Sequence, residues 1–303
     1  MADAFIVEAL RTPGGRRKGS LAGVHPADLG ATVLDELVDR SGLDPASIED
    51  VIVGCVSQAG EQAFAFGRNL VLASKLPDSV PAVTIDRQCG SSQQALHFAA
   101  QAVMSGTQDV VVAAGAESMT RVPMGSNYTL HKQAGMGVGP WSEAIQNRYG
   151  VAEFSQFTGA QMIADKYGFT REMMDAFAVD SHRRAAAAIA SGAFADEIVP
   201  VTTDAGTIAQ DEGVRFDTSV EAMASVKPIV EGGTITAANA SQMTDGASGV
   251  LVVSERALKE HGLTPIARIH NLTVTAGDPV IMLEEPIPAT RKALARAGMA
   301  LSD

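Results

Sequence analysis

The feature that most narrows the folds open to this chain is a regular exchange of two periodicities. Over the first 120 residues, short β-branched runs alternate with runs of helical spacing. Ala4–Glu8, Val51–Val56, Val80–Ile85 and Val110–Ala114 read as strands. Pro26–Ser41, Phe66–Ala73 and Ser91–Ser105 read as helices, the first ending near Gly42. Strands that alternate with helices imply a mostly parallel sheet covered by helices on both faces. The run Val110-Val111-Val112-Ala113-Ala114 has the unbroken apolar character of a centrally buried strand.

From about Thr120 the exchange stops. Residues 121–150 are rich in Gly, Pro, Asn and Met and show no period. Long irregular segments of this kind usually carry function or move. Helices are expected over Thr158–Tyr167 and Thr170–Ser191, with Thr170 as N-cap and Met173, Phe177, Ala178, Ser181 and Ala185 on one stripe. Short strands and turns are expected over 194–232. The sheet pattern returns at Gly249–Ser254, followed by a helix (Glu255–His261), a strand (Ala267–Ala276) and a helix (Pro288–Ala297). The expected organisation is one α/β domain built from 1–119 plus 233–265, an inserted α+β domain over 120–232, and the start of a further domain at 266–303.

Composition sets outer limits. The 303 residues are 46% apolar, enough for more than one core. Aromatics are only 5%, and abundant Ala and Gly suit close helix-on-sheet packing. A net charge of −12 disfavours nucleic acid and anionic membrane surfaces as partners. Two cysteines make no disulfide framework, and reduced thiols are the default. No basic n-region with an apolar h-region opens the chain, and no apolar run approaches a membrane span. The chain reads as cytoplasmic, and no metal site is expected.

Cys89 is the most informative single residue. It stands in Asp86-Arg87-Gln88-Cys89-Gly90-Ser91-Ser92, between a strand and a helix, and is expected within the first helical turn. Unpaired N–H groups and the dipole there favour a thiolate nucleophile. On position alone, a small buried hydrophobe is an equal reading, since free cysteine often behaves as one. Cys55, inside the strand Val53-Gly54-Cys55-Val56, reads as core packing.

Three segments decide between the readings. Residues 84–120, with Cys89-Gly90-Ser91-Ser92 and then Ala113-Ala114-Gly115-Ala116-Glu117-Ser118-Met119, resemble the nucleophile segment of the thiolase family. Asn239-Ala240-Ser241-Gln242-Met243-Thr244-Asp245-Gly246-Ala247-Ser248 resembles its second signature, and Ile6-Val7-Glu8-Ala9-Leu10-Arg11-Thr12-Pro13-Gly14-Gly15 its first strand and turn. They occur in the family's order, and the resemblance covers essentially the whole chain. It implies a thiolase-like fold: a mostly parallel five-stranded sheet with an inserted loop domain that binds coenzyme A.

The resemblance also implies a reaction. The Cys89 thiolate takes the acyl group of an acyl-CoA. A 3-ketoacyl-CoA is then made by attack of the acetyl-CoA α-carbon, or cleaved in reverse by CoA thiolate. The Cys89 backbone N–H donates to the oxyanion. CoA and acyl-CoA are substrates, and no resident cofactor is implied. Ser241 matches the serine that contacts the pantetheine amide; Ala237 and Ala240 occupy the small positions beneath pantetheine; Arg215 matches an arginine near adenine and phosphates. With Lys227, Arg215 is one of few cations in an acidic stretch. Where acetoacetyl-specific thiolases carry His-Met-Gly-Thr-Thr, this chain has Ser155-Gln156-Phe157-Thr158-Gly159. Gln156 and Phe157 therefore argue against acetoacetyl specificity and resemble thiolases acting on bulky or steroid-derived side chains. A homodimer or homotetramer is implied, with the strand before Cys89 pairing across the dimer axis.

The family's Asn-Glu-Ala-Phe and Gly-His-Pro segments and its second catalytic cysteine are not found in this sequence. Residues 266–303 read as the start of a further domain, so the chain is expected to be a fragment of a longer polypeptide, with a natural truncation as the alternative, and the 303-residue chain alone is expected to turn over slowly or not at all. Two rivals follow: a non-catalytic thiolase-like subunit that binds acyl-CoA or a partner, and a decarboxylating ketosynthase on the same fold.

Overall fold

A computed structural model describes residues 2–303. In chain order the strands and helices begin with β1 (Ala4–Arg11), β2 (Gly15–Arg16), α1 (Pro26–Ser41), β3 (Asp50–Gly54), α2 (Phe66–Ala73), β4 (Ala82–Ile85), α3 (Ser91–Ser105) and β5 (Val110–Ser118). They continue with α4 (Ser126–Ala134), α5 (Glu143–Tyr149), α6 (Gln156–Tyr167), α7 (Arg171–Ala190), β6 (Val201–Thr203), β7 (Gly206–Ile208) and α8 (Val220–Ala224). The last are β8 (Thr244–Ser254), α9 (Glu255–His261), β9 (Ala267–Arg268) and α10 (Pro286–Ala297).

The chain packs as two compact units. The first takes the chain up to Asn127, Gly192–Gly213 and Met243–Ile269. Its sheet runs β4-β3-β5-β8-β1-β9, with β2 pairing β8. β4, β3 and β5 are mutually parallel, β8 is antiparallel to β5, and β1 is antiparallel to β8. Of the five longer strands, all but β8 therefore point one way, which makes the sheet mainly parallel.

Alternation along β5 sorts the two faces. Val110, Val112 and Ala114 join Leu29, Val33, Leu34 and Leu37 of α1 in the main core. Val111 and Ala113 point to the opposite face, where α3 buries Ala95, Ala99, Ala100 and Val103. Full burial of each large aliphatic side chain is worth about 1.5–3 kcal/mol as an upper figure. The α3 face is built of small residues instead, and they let the helix come close. A Cβ on Gly115 would lie 2.0 Å from Ser92 Oγ, and one on Gly54 would lie 2.5 Å from the Ser91 carbonyl carbon and the Ser92 nitrogen. The start of α3 thus rests directly on the ends of β3 and β5.

The second unit takes Tyr128–Ser191, Val214–Gln242 and His270–Asp303. The Thr170 hydroxyl caps α7 by accepting the Met173 N–H at 3.3 Å, as its sequence position suggests. A network of part-buried polar bonds in this unit is described with the site.

These units divide the chain differently from the sequence pattern. Residues 192–213, expected in the insertion, pack with the sheet because Arg11 pairs with Glu197 and Asp211 at 2.7 Å each. The Gly14 N–H also donates to Asp211 at 2.7 Å. The strand expected over Ala267–Ala276 shrinks to β9, which meets β1 only at Phe5↔Arg268 and Ile6↔Ala267; from His270 the chain joins the second unit. The segment read as irregular, 121–150, contains α4 and α5. Neither has a fully buried residue, so no apolar stripe marked them.

Candidate active site

Cys89 sits on the turn that joins β4 to α3. The helix starts at Ser91 with Gly90 as cap, so Cys89 precedes the first turn instead of lying in it. The reason is Gln88, whose φ of 48° reverses the chain before the helix can begin. A left-handed backbone on a residue with a side chain costs on the order of 1–2 kcal/mol and persists only where its surroundings enforce it. Two side chains do so. The Asp86 carboxylate accepts the Gln88 N–H at 2.6 Å. The Ser91 hydroxyl accepts the Arg87 N–H at 2.9 Å and donates to the Gln88 carbonyl at 2.6 Å. Ser91 is 3% exposed and sits against the strand ends cleared by Gly54 and Gly115. Neither Asp86 nor the Ser91 clamp was legible as a site residue; a serine two positions after a strand-to-helix cysteine was the available signal.

The two thiols differ sharply. Cys89 is exposed, whereas Cys55 is 1% exposed at the end of β3. Burial pushes the Cys55 thiol well above the ordinary range, and the nearby Glu117 and Asp86 carboxylates push it further. Cys55 thus packs the core, as its strand position suggested. Glu117 is structural: its carboxylate accepts the Val56 and Ser57 N–H groups at 2.8 Å each.

The remaining sequence candidates lie in the second unit. Ala237, Ala240 and Ser241 share one loop. Thr236 organises it: its hydroxyl accepts the Ala238 and Asn239 N–H groups at 3.2 Å, and its carbonyl accepts the Ala240 N–H at 3.0 Å. Thr236 is fully buried, while Ala237 and Ser241 are exposed and Ala240 is half-buried. Arg215 is exposed on another segment, and its backbone N–H donates to His182 Nδ1 at 3.2 Å. Burial, then the Arg215 charge, lowers the His182 pKa, which favours the neutral ring that accepts this bond. Gln156 is exposed at the first position of α6. Ala237, Ala240 and Ser241 are therefore together, while Arg215 and Gln156 occupy separate segments of the same unit.

Sequence reasoning quoted Asn239 without giving it a role, and it missed Arg171 and Asp175. Asp175 is 1% exposed; it pairs with Arg171 Nε at 2.6 Å and accepts the Asn239 amide at 2.9 Å. Among the described residues, no helix is long and apolar enough to cross a membrane.

Known proteins similar to this chain bear on its family. The family profile described as Thiolase, N-terminal domain, matches residues 4–256. A steroid 3-ketoacyl-CoA thiolase of Mycobacterium tuberculosis is 51% identical over 305 residues, covering 100% of this chain and 74% of the relative. A 3-ketoacyl-CoA thiolase of Saccharophagus degradans is 43% identical over 99% of this chain and 76% of its own length. One from Escherichia coli is 41% identical over 100% of this chain and 78% of its own.

Proposed function

The chain belongs to the thiolase family, and from that premise we propose that it is a 3-ketoacyl-CoA thiolase acting in lipid metabolism through an acyl-enzyme on Cys89. The observation that carries this reading is the exposed Cys89 sulfur, held ahead of α3 on a turn clamped by Asp86 and Ser91. Such a thiol can attack a thioester carbonyl, with the CoA sulfur as leaving group. The acyl group passes to Cys89, and CoA leaves as its thiolate or thiol. In the synthetic direction the α-carbon of acetyl-CoA, having lost a proton, attacks this acyl-enzyme: a C–C bond forms, the C–S bond breaks, and the Cys89 thiolate is regenerated. In the degradative direction the Cys89 thiolate attacks the C3 ketone of a 3-ketoacyl-CoA, the C2–C3 bond breaks, acetyl-CoA leaves as its α-carbon takes up a proton, and a CoA thiolate then removes the acyl group from Cys89. The Cys89 backbone N–H, on the turn ahead of α3, stabilises the tetrahedral oxyanion.

The 236–241 loop holds the pantetheine arm. Ser241 bonds its amide, the small Ala237 and Ala240 let it lie close, and Arg215 meets the phosphates or adenine. Gln156 and Phe157 face the acyl group. Gln156 at this place and the likeness to a steroid 3-ketoacyl-CoA thiolase both support a bulky acyl substrate. Among the described residues the edge strand β4 pairs on one side only, with β3, and Val83 on it is 46% exposed. That open ladder supports a homo-oligomer joined through β4. A purely structural subunit is not favoured, since it has no use for a thiol presented on a strained turn.

The test is competitive alkylation. Iodoacetamide should modify Cys89 faster than Cys55 by more than about a hundredfold, because burial both hides the second sulfur and raises its pKa. Acyl-CoA should protect Cys89. Equal reactivity of the two thiols, or no protection, would remove the reading.

A further inference from the structure

We infer that Arg171, Asp175 and Asn239 form a positioning device that sets the affinity of the 236–241 loop for CoA thioesters. The inference rests on reading that loop as the pantetheine site.

Arg171 is the first residue of α7, where a cation opposes the positive end of the helix dipole. Helix preference therefore does not explain it. Its guanidinium turns away to donate to the Asp175 carboxylate one turn on, and to the carbonyls of Met223 and Val226 beside α8. Asp175 is otherwise enclosed, with 2% of its side chain exposed, so these donors take the place of the water its carboxylate would bond outside the fold.

The second Asp175 oxygen accepts the Asn239 amide at 2.9 Å. The same amide group donates to the Thr234 carbonyl at 3.2 Å, and the Asn239 Oδ1 accepts the Thr236 N–H at 2.8 Å. Asn239 thereby ties the turn on which Ala237 and Ala240 stand back to Thr234 and Thr236, and Ser241 follows two residues on. None of the three members is fully exposed, and Asp175 is buried. Asp175 in particular acts on the loop only through the amide it holds. The ion pair orients Asn239, Asn239 fixes the loop, and the loop presents Ser241.

Protection of Cys89 from iodoacetamide by acyl-CoA gives the measurement. Asp175→Asn should raise the half-protecting concentration by about tenfold or more, the scale of a lost charge-assisted bond. The alkylation rate without acyl-CoA should not change, because iodoacetamide needs no pantetheine site. Arg171→Lys, which keeps the charge and loses the fork, should fall between wild type and Asp175→Asn. Combined with Ser241→Ala, Asp175→Asn should add less than its separate effect, since both act through one contact. If Asp175→Asn opens the fold, seen as labelling of Cys55, Asn239→Ala spares the ion pair and should give the same tenfold loss. Wild-type protection retained at the same concentration in both Asp175→Asn and Asn239→Ala would overturn the inference alone. Absence of protection in the wild type would overturn the function reading, and this inference with it.

Discussion

Two loops in this protein are held in place by opposite means. The Cys89 turn is fixed by close approach: glycines at 54 and 115 let α3 down onto the strand ends, and the Asp86 carboxylate and Ser91 hydroxyl lock the reversal. The 236–241 loop is fixed by a buried ion pair acting through an amide. Contact between small groups fails abruptly when an atom is added. A buried charge fails when its partner is removed. Each loop should therefore be sensitive to the change that the other tolerates.

The largest expected effect comes from Asp175→Ala. It leaves the Arg171 guanidinium without its counter-ion in a mostly buried place, held only by the Met223 and Val226 carbonyls, and loss of about 3–5 kcal/mol is expected by denaturant unfolding. A loss below about 1 kcal/mol would mean that solvent reaches the pair and that the contrast between the loops is false.

Next is Gly54→Ala, expected to cost about 1–3 kcal/mol or more, because its methyl meets the rigid backbone of Ser91 and Ser92. Gly115→Ala should cost less, since the atom it meets is the Ser92 hydroxyl, which can rotate away. Equal costs would show that α3 shifts as a body. Ser91→Ala should follow, at about 1 kcal/mol, with slower alkylation of Cys89 as the Gln88 reversal loosens. The same substitution should leave acyl-CoA protection in the 236–241 loop variants unaltered.

The smallest effect concerns pH. Burial raises the Asp211 carboxyl, but its bonds to Arg11 and the Gly14 N–H outweigh this and hold it below its ordinary value. A depressed folded pKa gives stability that is present above the unfolded value and lost as pH falls through the folded one. Arg11→Met should therefore move acid unfolding of the first unit to higher pH. An unchanged acid midpoint would show that Asp211 does not anchor residues 192–213 to the sheet.

The same contrast explains what the sequence disclosed. β5 was legible because its apolar run is buried on both faces, and α1 and α3 because their apolar spacing is regular. Cys89 was legible from its strand-to-helix position and its motif. The Gln88 reversal was not, because no glycine marks it. Asp175 and Arg171 were invisible as a pair with Asn239, which lies 64 residues from Asp175 in sequence. A charge on an apparently solvated helix gives no sign that tertiary packing encloses it. The Ala267–Ala276 strand failed for a related reason: β propensity makes a strand only where a partner edge is offered, and β1 offers it at two positions.

The most direct test of the central claim is to incubate the protein with an acyl-CoA, quench in acid, and locate any adduct by peptide mass spectrometry. The expected result is an acyl group in thioester linkage on Cys89, released by hydroxylamine and absent from Cys89→Ala. An unmodified Cys89 under conditions where acyl-CoA binds, or an acyl group found on Cys55 instead, would contradict it.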